Sequence, residues 1–281
     1  MSVPRLALRL ALVAACLLAV IPPAVAAGPR EIMVSAAASL RDVLEEAGRM
    51  FETQNPGTKV TFNFGASGAL RSQIVNGAPV DLFLSADLRD VQALVEPGIP
   101  ASGSDRHDVG SGPPAPGRAL LRGPPRPFLR NELVFFVPTA STLTATGVAG
   151  LRGAAGGKFA IGNPRSVPAG RYAQEALQAA GVAEAIADRL VLCENVRQVL
   201  DYVRRGEADG GFVYRTDAGT VPPAEGRILF AVPPEQHSPI VYGAGRLAAA
   251  PQPELADRFL AFLSGPEAMA VFAAAGFRQP E

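Results

Sequence analysis

The chain has 281 residues, and its 26 lysines and arginines balance its 26 aspartates and glutamates, so the formal net charge is zero. This balance excludes a general polyanion-binding protein, and we expect no nucleic-acid partner. With 48% apolar and 19% charged residues, most of the chain is too hydrophobic for intrinsic disorder. Its length fits one large or two small domains.

The first 26 residues have the pattern of a secretory signal peptide. Two arginines precede an apolar run from Leu10 to Ile21, and the small residues Ala24 and Ala26 mark a cleavage site. The run is shorter than the roughly 20 residues that a membrane-spanning helix needs, which disfavours an uncleaved anchor. We therefore expect cleavage after residue 26 and a periplasmic or other extracytoplasmic location. Lipid attachment at Cys16 is not expected, because the apolar run continues beyond it.

Strand-like and helical segments alternate along the rest of the chain. Short β-rich or alternating segments predict strands at 31–35, 60–64, 80–85, 132–137, 159–162, 190–192, 211–214, 227–232 and 240–242. Apolar residues at helical spacing predict helices at 40–51, 70–75, 88–95, 168–180, 196–203, 254–263 and 266–275. Between residues 101 and 127, six prolines and five glycines predict an exposed loop.

This alternation predicts an α/β fold, and the long interruption near residue 115 indicates two mostly parallel sheets. In such sheets, ligands bind beyond the carboxyl ends of the strands, where helices begin. Four junctions of this kind stand out, around Ser39, Ser67, Ala169 and Val196. A helix start offers unpaired backbone N–H groups and the positive end of the helix dipole, so these junctions suit an anion.

Ordinary helix capping is the competing interpretation of the same junctions. Ser39, followed three residues later by Asp42, fits a capping box, and Asn195 fits the N-cap of the next helix. Every α/β protein begins helices after strands with such residues. The junctions alone therefore favour ordinary capping over ligand binding.

Five motifs along the chain favour ligand binding over ordinary capping at these junctions. They are AAASL at 36–40, FGASGAL at 64–70, GAPVDLFLSAD at 77–87, VPAGRYA at 167–173 and NVR at 195–197. In this order they resemble the periplasmic molybdate-binding proteins, the substrate-binding components of molybdate ABC importers. The resemblance implies a two-lobed periplasmic binding protein of type II with the ligand cleft between its sheets. We expect one lobe from residues 27–133 and 237–281 and the other from residues 134–236.

The same resemblance implies a set of ligand-binding residues for an oxyanion. Two serine hydroxyls, backbone amides and one tyrosine hydroxyl hold the anion in that family. By motif, these groups fall at Ser39 and Ser67, at the backbone of Ala169 and Val196, and at Tyr214. Molybdenum would reach the protein only within the oxyanion, so neither a direct metal ligand nor a cofactor is expected. The implied partners are molybdate or tungstate and the membrane permease, and we expect a monomer.

A site of hydrogen-bond donors suits molybdate and tungstate, because both are fully deprotonated dianions at neutral pH. Phosphate keeps a proton that needs an acceptor, and sulfate would have to be rejected by its size. Two features depart from the family pattern. Asn163 and Asn195 stand where aspartate is expected, and the segment 101–127 is longer than expected. Neither removes a donor.

Two other functions compete with this interpretation. A binding protein for another oxyanion, such as sulfate, would share the fold, so the fold alone does not choose the ligand. An exported hydrolase is suggested by serines at helix starts, but His107 and His237 are the two histidines and no Gly-x-Ser-x-Gly motif is present. A metal centre lacks ligands, since Cys193 is the one cysteine outside the signal segment. We therefore expect a binding protein and no enzyme.

Overall fold

The computed structural model describes residues 30–95, 120–154 and 157–280. In this part of the chain, ten strands form two five-stranded sheets. The predicted signal peptide, with Cys16, lies outside the described residues, and so do His107 and most of the predicted loop. Within the three described ranges, no helix is long and apolar enough to cross a membrane.

The first sheet combines strands from the two ends of the described chain. It contains β1 (Arg30–Ala37), β2 (Thr58–Gly65), β3 (Leu82–Ser85), β4 (Arg126–Arg130) and β10 (Val241–Arg246), in the order β2-β1-β3-β10-β4. β1 runs parallel to β2 and β3, whereas β10 is antiparallel to both of its neighbours, β3 and β4. Four strands therefore share one direction, and β10 runs against them.

The second sheet repeats this arrangement. It contains β5 (Leu133–Pro138), β6 (Phe159–Gly162), β7 (Leu190–Cys193), β8 (Gly210–Tyr214) and β9 (Gly226–Ala231), in the order β7-β6-β8-β5-β9. β6 is parallel to β7 and β8, and β5 is antiparallel to β8 and β9. β5 and β10, the two antiparallel strands, are the first strands after the chain passes from one sheet to the other. The prediction of two mostly parallel sheets is confirmed.

Helices cover both sheets. Those in the described ranges are α1 (Arg41–Gln54), α2 (Ser67–Val75), α3 (Leu88–Gln92), α4 (Pro168–Ala179), α5 (Val196–Arg204), α6 (Arg215–Gly219), α7 (Pro253–Leu263) and α8 (Pro266–Ala274). Amphipathic spacing explains how they pack, since the predicted apolar stripe of α5 is fully buried. In the second lobe, the ring of Phe135 packs against those of Phe159, Phe212 and Phe230.

The prediction of an exposed loop over residues 101–127 is wrong for the C-terminal end of that segment. Leu121 is buried and pairs with Leu247, and β4 begins at Arg126. Pro127 is part of this strand, although proline has no N–H to donate to a sheet. It is tolerated because β4 lies at the edge of its sheet.

The two capping predictions have opposite outcomes. Ser39 does not cap a helix: it lies inside one turn of 3-10 helix, Ala38–Leu40, and its hydroxyl contacts a distant tyrosine. Asn195 is the N-cap of α5 as predicted, since its Oδ1 accepts a hydrogen bond of 3.0 Å from the backbone N–H of Gln198.

Candidate functional site

The carboxyl ends of strands from both sheets meet at one place between the lobes. Ser39 follows β1, Ser67 begins α2 after β2, and Tyr214 is the last residue of β8. Ala169 is the second residue of α4 and Val196 is the first residue of α5. The structure brings these five sequence-predicted residues together around a single cavity.

This cavity is small and its lining carries no charge. It holds about 200 Å³ of empty space, whereas two surface pockets elsewhere hold about 1210 Å³ each. The other lining residues are Ala37, Ala38, Gly65, Ala66, Ala86, Val167, Pro168 and Asn195. Because alanine and glycine dominate the walls, a ligand can approach the backbone closely. The space suits a small inorganic group better than an organic molecule.

Both serine hydroxyls are buried and held by neighbouring groups. The hydroxyl of Ser67 accepts a hydrogen bond of 3.0 Å from the backbone N–H of Ala86. The hydroxyl of Ser39 lies 2.9 Å from that of Tyr242, which is fully buried on β10. A hydroxyl has one proton and two acceptor positions, so Ser67 retains its proton for a ligand in the cavity.

The second lobe contributes backbone donors. The N–H groups of Ala169 and Val196 belong to the first turns of α4 and α5, where no carbonyl of the same helix can accept from them. Both residues line the cavity, and both helices direct the positive end of their dipoles toward it. This combination is an anion-binding arrangement without any basic side chain.

Tyr214 supplies a further hydroxyl from the second lobe. The side chain is 1% exposed, and its hydroxyl has no hydrogen-bond partner within the described structure. Burial raises the pKa of Tyr214 well above its ordinary value, so the phenol keeps its proton. An unpaired buried hydroxyl is costly, and a ligand oxygen in the cavity would satisfy it.

Contacts between the lobes close the cleft around this cavity. The guanidinium of Arg171 on α4 reaches Asp87 and Asp90 in the first lobe, and the backbone N–H of Gly68 donates to the carbonyl of Ser166 at 2.9 Å. Sequence reasoning missed these contacts. Asp87 is also the N-cap of α3, because its carboxylate accepts a hydrogen bond from the backbone N–H of Arg89.

The polar groups behind Ser39 were also missed by sequence reasoning. The hydroxyl of Tyr242 lies 3.2 Å from the side-chain amide nitrogen of Asn131, which connects β4 to β5. Residues 39 and 242 are 203 positions apart, and no local pattern links them. The available signal was a polar residue, Asn131, directly before the predicted strand 132–137, but it does not identify a partner.

Two lobes with a small uncharged cavity in the closed cleft between them define a solute-binding protein of the two-lobed type. The chain belongs to the bacterial extracellular solute-binding protein family, whose model matches residues 32–278. The match covers nearly the whole described chain.

Three relatives show how far this similarity reaches. YvgL of Bacillus subtilis, named as an ABC transporter substrate-binding lipoprotein, is 35% identical over 88% of this chain and 85% of its own. The molybdate-binding protein ModA of Haemophilus influenzae is 30% identical over 89% of this chain and 91% of its own. The solved structure of the Azotobacter vinelandii periplasmic molybdate-binding protein has a TM-score of 0.74 and 25% identity, covering 89% of this chain and 100% of that one.

Proposed function

We propose that this protein captures molybdate, and tungstate with it, outside the cytoplasm and delivers the anion to the membrane permease of an ABC importer. The observation that carries the proposal is the convergence of Ser39, Ser67, Ala169, Val196 and Tyr214 on one uncharged cavity between two closed lobes. Relatives named as molybdate-binding proteins, similar over nine-tenths of this chain, support the choice of ligand.

Hydroxyls and helix-start amides can hold a dianion without a counter-charge. A hydrogen bond to a charged oxygen contributes about 1.5–3 kcal/mol, and each helix dipole adds roughly 0.3–2 kcal/mol. Five such donors offset the entropy lost on binding and leave enough free energy for micromolar affinity or better. The formal charge of zero is therefore compatible with an anion-binding protein.

Selectivity follows from the same donors. Hydrogen phosphate would bring a proton into a cavity that no carboxylate lines, and that proton would lose its acceptor at a cost of about 1–3 kcal/mol. Sulfate carries the same charge as molybdate but has shorter bonds, so in a cage of this fixed size several of its hydrogen bonds would be stretched at once.

The proposed role involves no catalysis and no cofactor. In the described residues, the serine hydroxyls interact with Tyr242 and with the backbone of Ala86, and neither has a hydrogen bond to a histidine. The ring of His237 instead packs beside Tyr172, 5.8 Å from it. A serine hydrolase needs a base beside its nucleophile, so these contacts support a binding role.

We further propose that export removes residues 1–26 and that the mature protein is a monomer without a lipid anchor. The support for cleavage is the signal pattern, which ends in small residues before Ala27. Mass spectrometry of the exported protein should give an N-terminus at Ala27. A mature chain that begins at Cys16 with an acyl group would contradict this proposal.

Titration calorimetry with molybdate, tungstate, sulfate and phosphate tests the proposed ligand. We expect tight binding of the first two anions, and at a hundredfold excess over the dissociation constant a rise in Tm of about 5–10 °C. Millimolar sulfate should leave Tm unchanged. An equal response to molybdate and sulfate would remove the argument for selectivity by size.

The two serines provide the matching variants. Combining Ser39→Ala with Ser67→Ala removes two donors from the cavity and should weaken molybdate binding at least a hundredfold. Ser72→Ala is the control, because Ser72 lies on the same helix as Ser67 and its hydroxyl bonds to the helix backbone. Unchanged affinity in the double variant would refute the assigned donors.

A further inference from the structure

The hydroxyl of Tyr242 sits between Ser39 and a second polar side chain. Tyr242 is fully buried on β10 and does not line the anion cavity. Its oxygen is 2.9 Å from the hydroxyl of Ser39 and 3.2 Å from Nδ2 of Asn131. The three side chains thus form a continuous chain of hydrogen bonds that ends at the cavity wall.

The orientation of the Asn131 amide determines the direction of this chain. Its Oδ1 accepts a hydrogen bond of 2.9 Å from the backbone N–H of Glu132, so the oxygen must face that donor. Its NH₂ group then faces the hydroxyls of Thr216, at 2.8 Å, and of Tyr242. Since an amide nitrogen only donates, both hydroxyls accept from Asn131.

Proton positions along the chain follow from that orientation. Tyr242 accepts from Asn131 and keeps one proton of its own; of its two hydrogen-bond partners in the described structure Ser39 alone can accept, so that proton goes to the oxygen of Ser39. Ser39 then has its acceptor position occupied on the side of Tyr242, and its proton points to the cavity. We propose that Asn131 and Tyr242 are positioning residues that orient the Ser39 hydroxyl as a donor and thereby select a fully deprotonated oxyanion.

Ser67 reaches the same state by a different route. Its oxygen accepts from the backbone N–H of Ala86, which no side-chain substitution removes. Each serine of the cavity therefore has an acceptor position filled by a donor of the protein, and its own proton is left to donate to the ligand. The inference rests on the proposed function, which it deepens by assigning part of the selectivity to residues outside the cavity.

Two substitutions change the direction of the hydrogen bonds from Asn131 to Ser39 while keeping side chains of nearly the same size. Tyr242→Phe removes the middle hydroxyl, so Ser39 is free to rotate and to accept a proton from a ligand. Asn131→Asp replaces the donating NH₂ by a carboxylate oxygen, which accepts the Tyr242 proton and reverses the chain. Ser39 would then donate to Tyr242 and present a lone pair to the cavity.

The test is competition titration of molybdate against inorganic phosphate in mildly alkaline buffer, where phosphate keeps one proton. For each variant we expect the ratio of the phosphate to the molybdate dissociation constant to fall at least tenfold from its value in the unsubstituted protein. If Tyr242 had only a structural role, its substitution would weaken the binding of both anions equally and leave this ratio unchanged. Tyr202→Phe is the control, because Tyr202 lies on α5 away from the cavity lining.

Each result bears on one of the two proposals. An unchanged ratio in a folded variant overturns the positioning role, and Asn131→Asp provides the answer if Tyr242→Phe does not fold. If the unsubstituted protein binds no molybdate, the proposed function is wrong. The ratio is then measured with sulfate in place of molybdate, because sulfate is also a fully deprotonated dianion, and a tenfold fall would still support the positioning role.

Discussion

Arg171 on α4 lies 2.6 Å from the carboxylate of Asp90 on α3, and this contact joins the two lobes across the cleft. The same guanidinium is 3.0 Å from Asp87. Burial raises the pKa of Asp90 in spite of the nearby arginine. Burial would also raise the pKa of Asp87, but its hydrogen bond to Arg89 and the charge of Arg171 hold it below the ordinary value. Closure thus brings the guanidinium of Arg171 to two carboxylates that already lie side by side in the first lobe.

Arg171→Met keeps most of the apolar stem and removes that cation. Breaking a buried ion pair costs about 3–5 kcal/mol, but Arg171 is partly exposed, so we expect molybdate affinity to fall roughly tenfold to a hundredfold. The loss should shrink as the pH falls, because the raised pKa of Asp90 lets this carboxyl take up a proton and removes negative charge that Arg171 balances. Calorimetry at several pH values measures this. Arg165→Met, at an exposed position of the same lobe, is the control, and equal affinities of the two variants would contradict the prediction.

Adding a methyl group at Gly68 or at Gly170 distinguishes an effect on closure of the cleft from an effect on the folding of one lobe. A Cβ atom on Gly68 would lie 2.8 Å from the carbonyl oxygen of Ser166 in the other lobe. A Cβ atom on Gly170 would lie 1.9 Å from the carbonyl oxygen of Gly162, within the same lobe. Both glycines lie in first turns of helices, yet one faces the cleft and the other faces β6.

We therefore expect different results from the two alanine substitutions. Gly68→Ala should weaken molybdate binding at least tenfold while leaving the Tm of the ligand-free protein unchanged, because the open cleft has no clash. Gly170→Ala should lower Tm with or without ligand, since α4 must move away from β6. Calorimetry and thermal unfolding distinguish the two. A ligand-free protein destabilised by Gly68→Ala would show that the closed contact does not depend on the ligand.

Local signals account for the elements that were predictable from the sequence. The strand Phe159–Gly162 has the predicted bounds, and α4 begins at Pro168 because proline suits the first turn of a helix. Asn195 similarly marks the start of α5. The junctions at Ser39 and Ser67 were found for the same reason, since the end of a strand and the start of a helix are visible in neighbouring residues.

Other features depend on contacts between distant parts of the chain. β10 was predicted to end at residue 242, but it runs to Arg246. The prediction stopped early because Gly243 and Gly245 are unfavourable residues for a strand. A Cβ atom on Gly243 would lie 2.8 Å from Val91, so close packing against α3 requires glycine there. The link from Asn131 through Tyr242 to Ser39 is invisible for the same reason, since its members are far apart in sequence.

The buried carboxyl of Asp217 should make the free energy of unfolding depend on pH. It is fully buried on α6, 2.7 Å from Nε of Arg197, and burial raises its pKa to about 6 despite that arginine. The native state therefore binds a proton that the unfolded state, with a pKa near 3.9, releases. Protonation of Asp217 therefore adds roughly 3 kcal/mol to the free energy of unfolding. This stabilisation is fully present below about pH 4 and is lost as the pH rises to about 6.

Asp217→Asn isolates this contribution, because the amide does not titrate. Relative to the variant, the unsubstituted protein should lose stability between about pH 4 and pH 6 in urea unfolding. Asp201→Asn is the control, because it replaces a carboxylate by the same amide at a half-exposed position of α5. A difference between protein and variant that stays constant with pH would mean that Asp217 is ionised throughout this range.

Tyr214→Phe tests the unpartnered hydroxyl in the cavity. The substitution removes one donor to a charged ligand oxygen, which should raise the dissociation constant of molybdate roughly 10- to 150-fold. The ligand-free protein should not lose stability, because the hydroxyl makes no hydrogen bond within the described structure. Calorimetry and urea unfolding measure the two effects, with Tyr202→Phe as the control. A fall in ligand-free stability would show that the Tyr214 hydroxyl has a structural partner and is not reserved for the anion.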